Sequence, residues 1–457
     1  MPHRLLESLT DAPGGAPVRL IREGADGLPP GAAFADFRGQ AGRVFLQAEG
    51  EGAPAAWAGL GASPAPAALH AALRGLPARL PPGEWRLDAP GVDEAEAALA
   101  WALGAHAFER YKGPPPARAR LHVSPEALAA AAPVARACRL ARDMVDTPAN
   151  DMGPAEIEAA ARAVAAAGGA EVAVVTGDAL LKAGYPAVHA VGGAAAPHRA
   201  PRMIELSWTG AADGPRLVVV GKGVAFDTGG LDIKPSAGMR LMKKDMGGAA
   251  HALALAMLVM ERRLPVRLTM LVPAVENAIG PDAMRPGDVL ATRAGLSVEV
   301  GNTDAEGRLI LADALTRAGE LEPDLTVDLA TLTGAARVAL GPQVIPFYTA
   351  DDALAAELAA AAEAVHDPLW RMPLWAGYAD ALKSDVAHLK NDPDAWAQAG
   401  SVTAALFLQR FAPAAGAWVH FDVFAWNPRA RPGWPVGAEC QAVRALDRVL
   451  QRRYGAG

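Results

Sequence analysis

Residues 216–234 read Arg-Leu-Val-Val-Val-Gly-Lys-Gly-Val-Ala-Phe-Asp-Thr-Gly-Gly-Leu-Asp-Ile-Lys. The apolar run Leu217 to Val220 predicts a buried strand. Gly221, Gly223, Gly229 and Gly230 then let the backbone turn tightly and come close to a ligand. Lys222, Asp227 and Lys234 are set among these glycines. Downstream, Met242-Lys-Lys-Asp-Met-Gly-Gly248 opens a long apolar helix. Asp245 therefore stands near a helix N-terminus, where negative charge is favourable.

The strand, turn and helix of this stretch set a rhythm that extends in both directions. Strands are expected at Val172–Val175, Met203–Ser207, Arg216–Val220, Arg267–Val272, Leu325–Leu329 and Trp418–Val423. Helices are expected at Pro154–Ala167, Gly247–Arg263, Arg308–Leu321, Ala353–His366, Tyr378–Ser384, Val402–Phe411 and Glu439–Arg453. Such alternation predicts an α/β fold with a mostly parallel sheet flanked by helices. Polar residues that follow the C-terminal ends of its strands lie where open α/β sheets place their sites.

Toward the N-terminus the chain is rich in Ala, Gly and Pro. Short strands are expected at Pro17–Ile21 and Arg43–Gln47, and helices near Ala65–Leu73 and Val92–Leu103. These predict a small N-terminal α/β domain. Gly113-Pro-Pro-Pro-Ala117 reads as a stiff linker. Ser124 then caps a helix whose first residue is Pro125. The expected division is residues 1–125 for the small domain and 126–457 for the larger one.

A second polar segment lies at residues 301–308, Gly-Asn-Thr-Asp-Ala-Glu-Gly-Arg. In an extended segment, Asp304, Glu306 and Arg308 would leave the same side of the backbone. Neighbouring carboxylates raise each other's pKa, so the arrangement is costly unless a cation shares the site. The plainer alternative is a polar turn between a strand and a helix, with its charges in water. Together, Asp227, Asp245, Asp304 and Glu306 supply four carboxylates, which two divalent cations would balance. There is no His-Glu-x-x-His or Cys-x-x-Cys pattern, which argues against a mononuclear His-rich zinc site. Carboxylate ligands suit Mg or Mn, and Zn also accepts them. A lysine acting as a ligand would have to be neutral.

The segments Val220-Gly-Lys-Gly-Val-Ala-Phe-Asp-Thr-Gly-Gly230 and Asn302-Thr-Asp-Ala-Glu-Gly-Arg-Leu309 resemble those of the cytosolic leucyl aminopeptidases, a family of dinuclear metallo-exopeptidases. Asp143-Met-Val-Asp-Thr-Pro-Ala-Asn150, Asp328-Leu-Ala-Thr-Leu-Thr-Gly-Ala335, Leu382-Lys-Ser-Asp-Val-Ala-His-Leu-Lys-Asn391 and Ala399-Gly-Ser-Val-Thr-Ala-Ala-Leu-Phe-Leu408 are similar as well. The resemblance runs over roughly residues 136–452 and is weak or absent over 1–135.

The resemblance implies hydrolysis of the N-terminal peptide bond, with leucine or other apolar residues preferred there. It implies two metal ions per subunit, Mn or Zn, with Mg or Co also compatible. Lys222 and Asp245 would serve the more weakly held ion and Asp304 the tighter one, with Asp227 and Glu306 contacting both. Lys234 would polarise the scissile carbonyl, and Arg308 would hold a bicarbonate ion as general base. Met242, Thr331 and Gly334 would line the pocket for the N-terminal side chain. The resemblance further implies peptide substrates, a homohexamer and a cytoplasmic setting.

The rival readings are a non-catalytic structural or DNA-binding assembly homologue and a general dinuclear phosphohydrolase. The first would be favoured by loss of a matched polar residue, and none is lost. The second would need His ligands that are missing. The sequence departs from the family pattern after Val423. Phe424-Ala425-Trp426 follows at once where a small-residue stretch is usual, and Pro435-Val-Gly-Ala-Glu-Cys440 replaces a glycine-rich run. In the family this region helps to floor the side-chain pocket, so the departure bears on the leucine preference.

At 457 residues the chain is long enough for two or three domains and a sizeable core. A net charge of −7 without a basic block argues against nucleic acid as a partner. Two cysteines, Cys138 and Cys440, are too few for a disulfide framework and fit a reducing compartment. The N-terminus has no apolar run of signal-peptide type. The longest apolar stretch, Ala249 to Met260, is too short to span a membrane. His251 and His420 sit in apolar surroundings and are expected to be structural.

Overall fold

The computed structural model describes residues 7–47, 55–63, 65–113, 117–393 and 398–455. Residues 114–116 of the expected Pro-rich linker lie outside them. The chain divides into two compact units, Met1–Arg139 with Asn427–Gly437, and Leu140–Trp426 with Ala438–Gly457.

The first unit holds a six-stranded sheet in the order Leu9–Thr10, Ala119–His122, Gly83–Asp88, Ala16–Ile21, Ala55–Gly59, Val44–Gln47. Its pairings are parallel except that of the edge strand Val44–Gln47. Helices Pro66–Gly75 and Glu94–Gly104 cover a core that includes Val18, Leu73, Trp85, Trp101 and Leu121. The second of these helices is capped by Asp93, whose side chain accepts from Glu96 N at 2.9 Å. The expected Ser124 cap is present, with Ala127 N donating to its Oγ at 3.2 Å. Pro125 is the first residue of the helix that follows.

The second unit is built on a nine-stranded sheet whose centre is the strand Arg216–Gly221. Leu217, Val218, Val219 and Val220 are buried, which explains an unbroken apolar run in place of alternation. This strand lies between Arg267–Asn277 and Leu325–Ala330, parallel to both, and Leu325–Ala330 pairs in parallel with Ala417–Asp422. Antiparallel strands flank this centre: Arg202–Thr209 and Glu171–Thr176 on one side, and Ile345–Tyr348 on the other, where Leu369–Arg371 completes the edge. The sheet is mostly parallel, as expected, and all six expected strands are present to within a few residues.

Helix Gly247–Glu261 packs on the central strand at very short range. A Cβ on Gly221 would stand 2.7 Å from Gly248 O, so only glycine fits at this contact. Some expectations are corrected. Gly223–Asp227, read as part of a glycine-rich turn, is a short strand that pairs in parallel with the end of Arg267–Asn277. Residues Ala376–Leu382 form a 3₁₀ helix rather than an α-helix. The last helix begins at Val443, not Glu439, because Ala442 adopts φ 66° and breaks the helical path before it. The Asp367 carboxylate satisfies that helix start, accepting from Ala442 N, Arg444 N and Ala445 N.

Both histidines are structural. His251 is fully buried, with Nδ1 donating to Gly247 O at 2.6 Å and Nε2 accepting from Gln441 N at 3.0 Å, and burial lowers its pKa. His420, also fully buried, pairs through Nδ1 with Asp328 Oδ1 at 2.5 Å. Cys138 and Cys440 are buried, and neither forms a disulfide among the described residues. Among the described residues, no helix is long and apolar enough to cross a membrane.

Candidate metal centre

Four junctions of the second unit bring the sequence-selected side chains together. Lys222 follows the central strand, and Asp227 ends the short strand that continues it along Arg267–Asn277. Asp245 lies in the 3₁₀ turn Met242–Met246, immediately before the apolar helix. Asp304 lies in a turn, and Glu306 is the first residue of helix Glu306–Gly319. This corrects the reading of residues 301–308 as extended. A turn between strand Ser297–Glu299 and this helix delivers the two acids, as in the plainer alternative, yet their charges are not in water. The Glu306 side chain is 1% exposed and that of Asp304 32%.

Ligand atoms of Asp227, Asp245 and Glu306 lie within 4.8 Å of one another. Lys222 Nζ stands 2.7 Å from Asp245 Oδ2 and 2.9 Å from Glu306 Oε1, and donates to Thr331 O at 3.1 Å. Lys234 Nζ lies 2.8 Å from Asp227 Oδ2 and pairs closely with Asp304. Asn277, beyond the strand end expected from sequence, fixes Asp227 by donating to its Oδ1 at 2.9 Å. Its Nδ2 also donates to Thr303 O, tying the turn of Asp304 to the same point.

Four carboxylates thus face the ammonium groups of Lys222 and Lys234, with that of Lys244 farther off, 4.0 Å from Asp245 Oδ1, so negative charge exceeds positive. Burial, and then the Asp227 charge, push Glu306 up to about 8 and Asp304 up to about 6. Burial alone would lower Lys222, but Asp245, Glu306 and Asp227 outweigh it and raise it. Lys234 is likewise raised against its burial, chiefly by Asp227. Despite the close lysines, Asp245 Oδ2, Asp304 Oδ1 and both Glu306 oxygens are buried without an aligned hydrogen-bond donor. Buried acceptors are rarely left so. Divalent cations would satisfy all four, so the residues present fit such ions.

Arg308 is buried, and burial lowers its pKa. Its Nη1 donates to Asn391 O at 2.6 Å, while Nε has no hydrogen-bond partner among the described residues. Met242, Thr331 and Gly334 line the same cavity, of about 270 Å³, as Lys222, Asp227, Lys234, Asp245, Asp304 and Arg308. Thr331 Oγ1 donates to Asp245 O at 2.8 Å, tying the pocket wall to the acid cluster. Lys244, Arg337 and Phe424 line the cavity too and were not selected from the sequence. The only signal at Phe424 was the departure of its segment from the family pattern. Lys244 and Arg337 read alone as ordinary surface charges.

A buried, carboxylate-lined centre at the C-terminal ends of parallel strands is the architecture of a metal-dependent hydrolase. Residues 139–446 match the description "Cytosol aminopeptidase family, catalytic domain", and residues 33–124 match "M17 aminopeptidase, N-terminal domain". The chain belongs to the cytosol aminopeptidase family, whose members are metal-dependent peptide hydrolases. The match over 33–124 corrects the reading that resemblance fades before residue 136.

A "Probable cytosol aminopeptidase" of Geobacter sulfurreducens is 40% identical over 378 residues, covering 79% of this chain and 75% of that protein. A relative of the same description from Syntrophotalea carbinolica is 43% identical over 316 residues, 68% of this chain and 63% of its own length. The crystal structure of cytosol aminopeptidase from Coxiella burnetii superposes with a TM-score of 0.91 at 42% identity, covering 96% of this chain and 98% of that one. Bottromycin maturation enzyme BotP in complex with Mn superposes with a TM-score of 0.88 at 34% identity, covering 96% and 99%.

Proposed function

We propose that this protein removes the N-terminal residue of peptides at a centre holding two divalent cations. The observation that carries the proposal is the cluster of four carboxylates with only Lys222 and Lys234 in close ion pairs, in which ligand atoms of Asp227, Asp245 and Glu306 lie within 4.8 Å of one another and Asp227, Asp245 and Asp304 line one cavity. Lys222 and Asp245 would hold one ion and Asp304 the other, with Asp227 and Glu306 shared. Mn or Zn would fit these ligands, and Mg or Co are compatible with them. When bound, such a pair supplies a water poised to ionise near neutral pH and a Lewis-acidic contact for the substrate carbonyl.

The chain's own side chains do the rest. Lys234 donates to the carbonyl oxygen as negative charge develops on it. Lys222 would serve as a ligand only in its neutral form, having given its proton to solvent, and its ion pairs with Asp245 and Glu306 would then be replaced by contacts of all three with the ion. Arg308 offers its unpartnered Nε and a neighbouring N–H as a two-point fork for bicarbonate, placing a weak base to accept the proton of the attacking water. Met242, Thr331 and Gly334 receive the N-terminal side chain, leucine and other apolar residues included. We propose further that the catalytic domain is residues 126–457, that the protein works in the cytoplasm, and that it assembles as a homohexamer. The assembly is supported by family membership and is checked by light scattering on the eluted protein.

The test is hydrolysis of a panel of aminoacyl-p-nitroanilides by chelated protein with Mn, Zn, Co or Mg added back. Activity that vanishes on chelation and returns with metal is expected. Activity that survives full metal removal, verified by elemental analysis, would overturn the metal roles. Silence with every metal and substrate would favour the non-catalytic reading.

A further inference from the structure

The side-chain end of the cavity carries positive charge that the metal centre does not use. Lys244 follows Lys243 in the 3₁₀ turn, and its side chain is 8% exposed. Its Nζ makes no hydrogen bond among the described residues; its nearest acidic atom, Asp245 Oδ1, is 4.0 Å away. Instead it lies over the ring of Phe424, 5.2 Å from the centroid. The guanidinium of Arg337 lies over the same ring at 5.0 Å and also lacks a carboxylate partner among the described residues. Arg337 projects from helix Gly334–Leu340, whose first residue, Gly334, belongs to the expected side-chain pocket. All three side chains line the cavity with Met242 and Thr331.

The two acids nearest these cations are already engaged. Asp422 accepts from Leu332 N, Thr333 N, Thr333 Oγ1 and Ser401 Oγ, which uses both of its oxygens. Asp245 is turned to Lys222 and the metal centre. Phe424 is held in place by the turn after it. Ala425 adopts φ 57°, its N–H donates to Gln441 Oε1 at 2.8 Å, and its carbonyl accepts from Glu439 N at 3.1 Å. The departure from the family pattern at Phe424–Trp426 thus delivers an aromatic platform under two cations.

We infer that this pocket takes an acidic N-terminal side chain, aspartate or glutamate, whose carboxylate pairs with Lys244 and Arg337. The inference rests on the aminopeptidase reading above and adds to the apolar residues proposed there. An apolar side chain leaves the buried Lys244 without a partner inside the cavity, whereas Arg337, at an exposed position, keeps water. A carboxylate supplies one, and a carboxamide of the same shape does not. A guanidinium and an ammonium together match the two oxygens of a carboxylate. Basic N-terminal residues are disfavoured by the same charges.

The experiment compares kcat/KM for Glu against Gln, and Asp against Asn, as p-nitroanilides with Mn-reconstituted full-length protein. The same ratios are measured in Lys244→Met, Arg337→Gln and the double variant. Using ratios within one protein cancels any effect of Lys244→Met on the neighbouring Asp245, and Arg337→Gln tests the idea at an exposed position if the buried change fails to fold. A Glu/Gln ratio of about tenfold is expected in the unmodified protein, falling toward 1 as the cations are removed. A ratio near 1 at the outset, or one that survives both substitutions, overturns the inference while leucine hydrolysis keeps the aminopeptidase reading intact. If no substrate is cleaved, the aminopeptidase reading fails instead. Equilibrium binding of free glutamate against glutamine then decides the pocket charge, and equal affinity overturns it.

Discussion

Lys234 and Glu306 differ in what their loss should do, although both lie in one cluster. Lys234 is tied to Asp227 and Asp304, lines the cavity and is 13% exposed, so it can reach a substrate oxygen. Removing a donor aimed at developing charge costs about 100–1000-fold in kcat. Lys234→Ala should show that loss while retaining metal. Glu306→Ala should lose turnover to at least the same degree and also lose bound ion, read by elemental analysis after dialysis. Equal metal content with unchanged kcat in either variant would defeat these roles. Gly307 supplies a subtler probe. A Cβ there would stand 2.5 Å from Lys222 Cε and 2.7 Å from Nζ, and Lys222 is pinned by two carboxylates. Gly307→Ala should displace the Lys222 nitrogen and cut activity by about 10–100-fold, with far-UV circular dichroism unchanged. Full activity in this variant would mean that Lys222 is not a ligand.

At the scale of elements, the contact between the apolar helix and the central strand makes its own demand. A Cβ on Gly248 would meet Leu329 O at 2.1 Å and Lys222 N at 2.7 Å, both backbone atoms that no rotamer change can move. Gly248→Ala should destabilise the unit by about 1–3 kcal/mol, seen as a lower denaturant midpoint at unchanged slope. The pair His420–Asp328 joins two neighbouring strands in a fully buried setting, where Trp418 Nε1 also donates to Asp328 Oδ2 at 2.7 Å. Burial opposes charge on His420, but the Asp328 carboxylate outweighs it and raises the folded pKa. A raised pKa means that this contribution to stability is fully present below the unfolded value of about 6.5 and is lost as pH rises through the folded one. The stability difference between the unmodified protein and Asp328→Asn should therefore shrink from pH 6 to pH 9 in urea titrations. A difference constant over that range would mean that His420 stays neutral.

These elements also show what a sequence discloses. Strand 216–221 was legible because burial on both faces leaves an unbroken apolar run, and helix 247–261 because its length outruns any strand. Gly223–Asp227 was missed because its glycines favour a turn, and only the neighbouring strand end at Ala274–Asn277 makes it a strand. Asp227, Asp245, Asp304 and Glu306 could be gathered into one site because each lies at a glycine-marked junction and because the segments that hold them resemble those of one family. The reason given for joining Asp304 to Glu306 was nevertheless mistaken, since a turn and a helix start do what an extended segment was expected to do. Lys244, Arg337 and Phe424 are far apart in the chain, and no local pattern announces that their side chains share a cavity.

For the whole molecule, the metal centre should act as a stabiliser as well as a reaction site. The ligands come from the residue after the central strand, the short strand Gly223–Asp227, the turn before the apolar helix, and the turn and helix start at 304–306. Unfolding scatters them, so ions bind the folded chain far better than the unfolded one. Linkage then adds about 2.7 kcal/mol per site when free metal is a hundredfold above its Kd. At equal metal concentration the effect should be larger than for a surface site, because binding also relieves buried carboxyls whose pKa values burial and then neighbouring negative charge push up to about 6 and about 8. The thermal midpoint should therefore rise with Mn concentration and fall back with chelator. The rise should halve or vanish in Asp227→Asn, since that side chain is proposed to contact both ions. A midpoint indifferent to metal in a protein that still hydrolyses peptides would mean that the surplus negative charge of these carboxylates is balanced in some other way and that the acid cluster is not the metal centre.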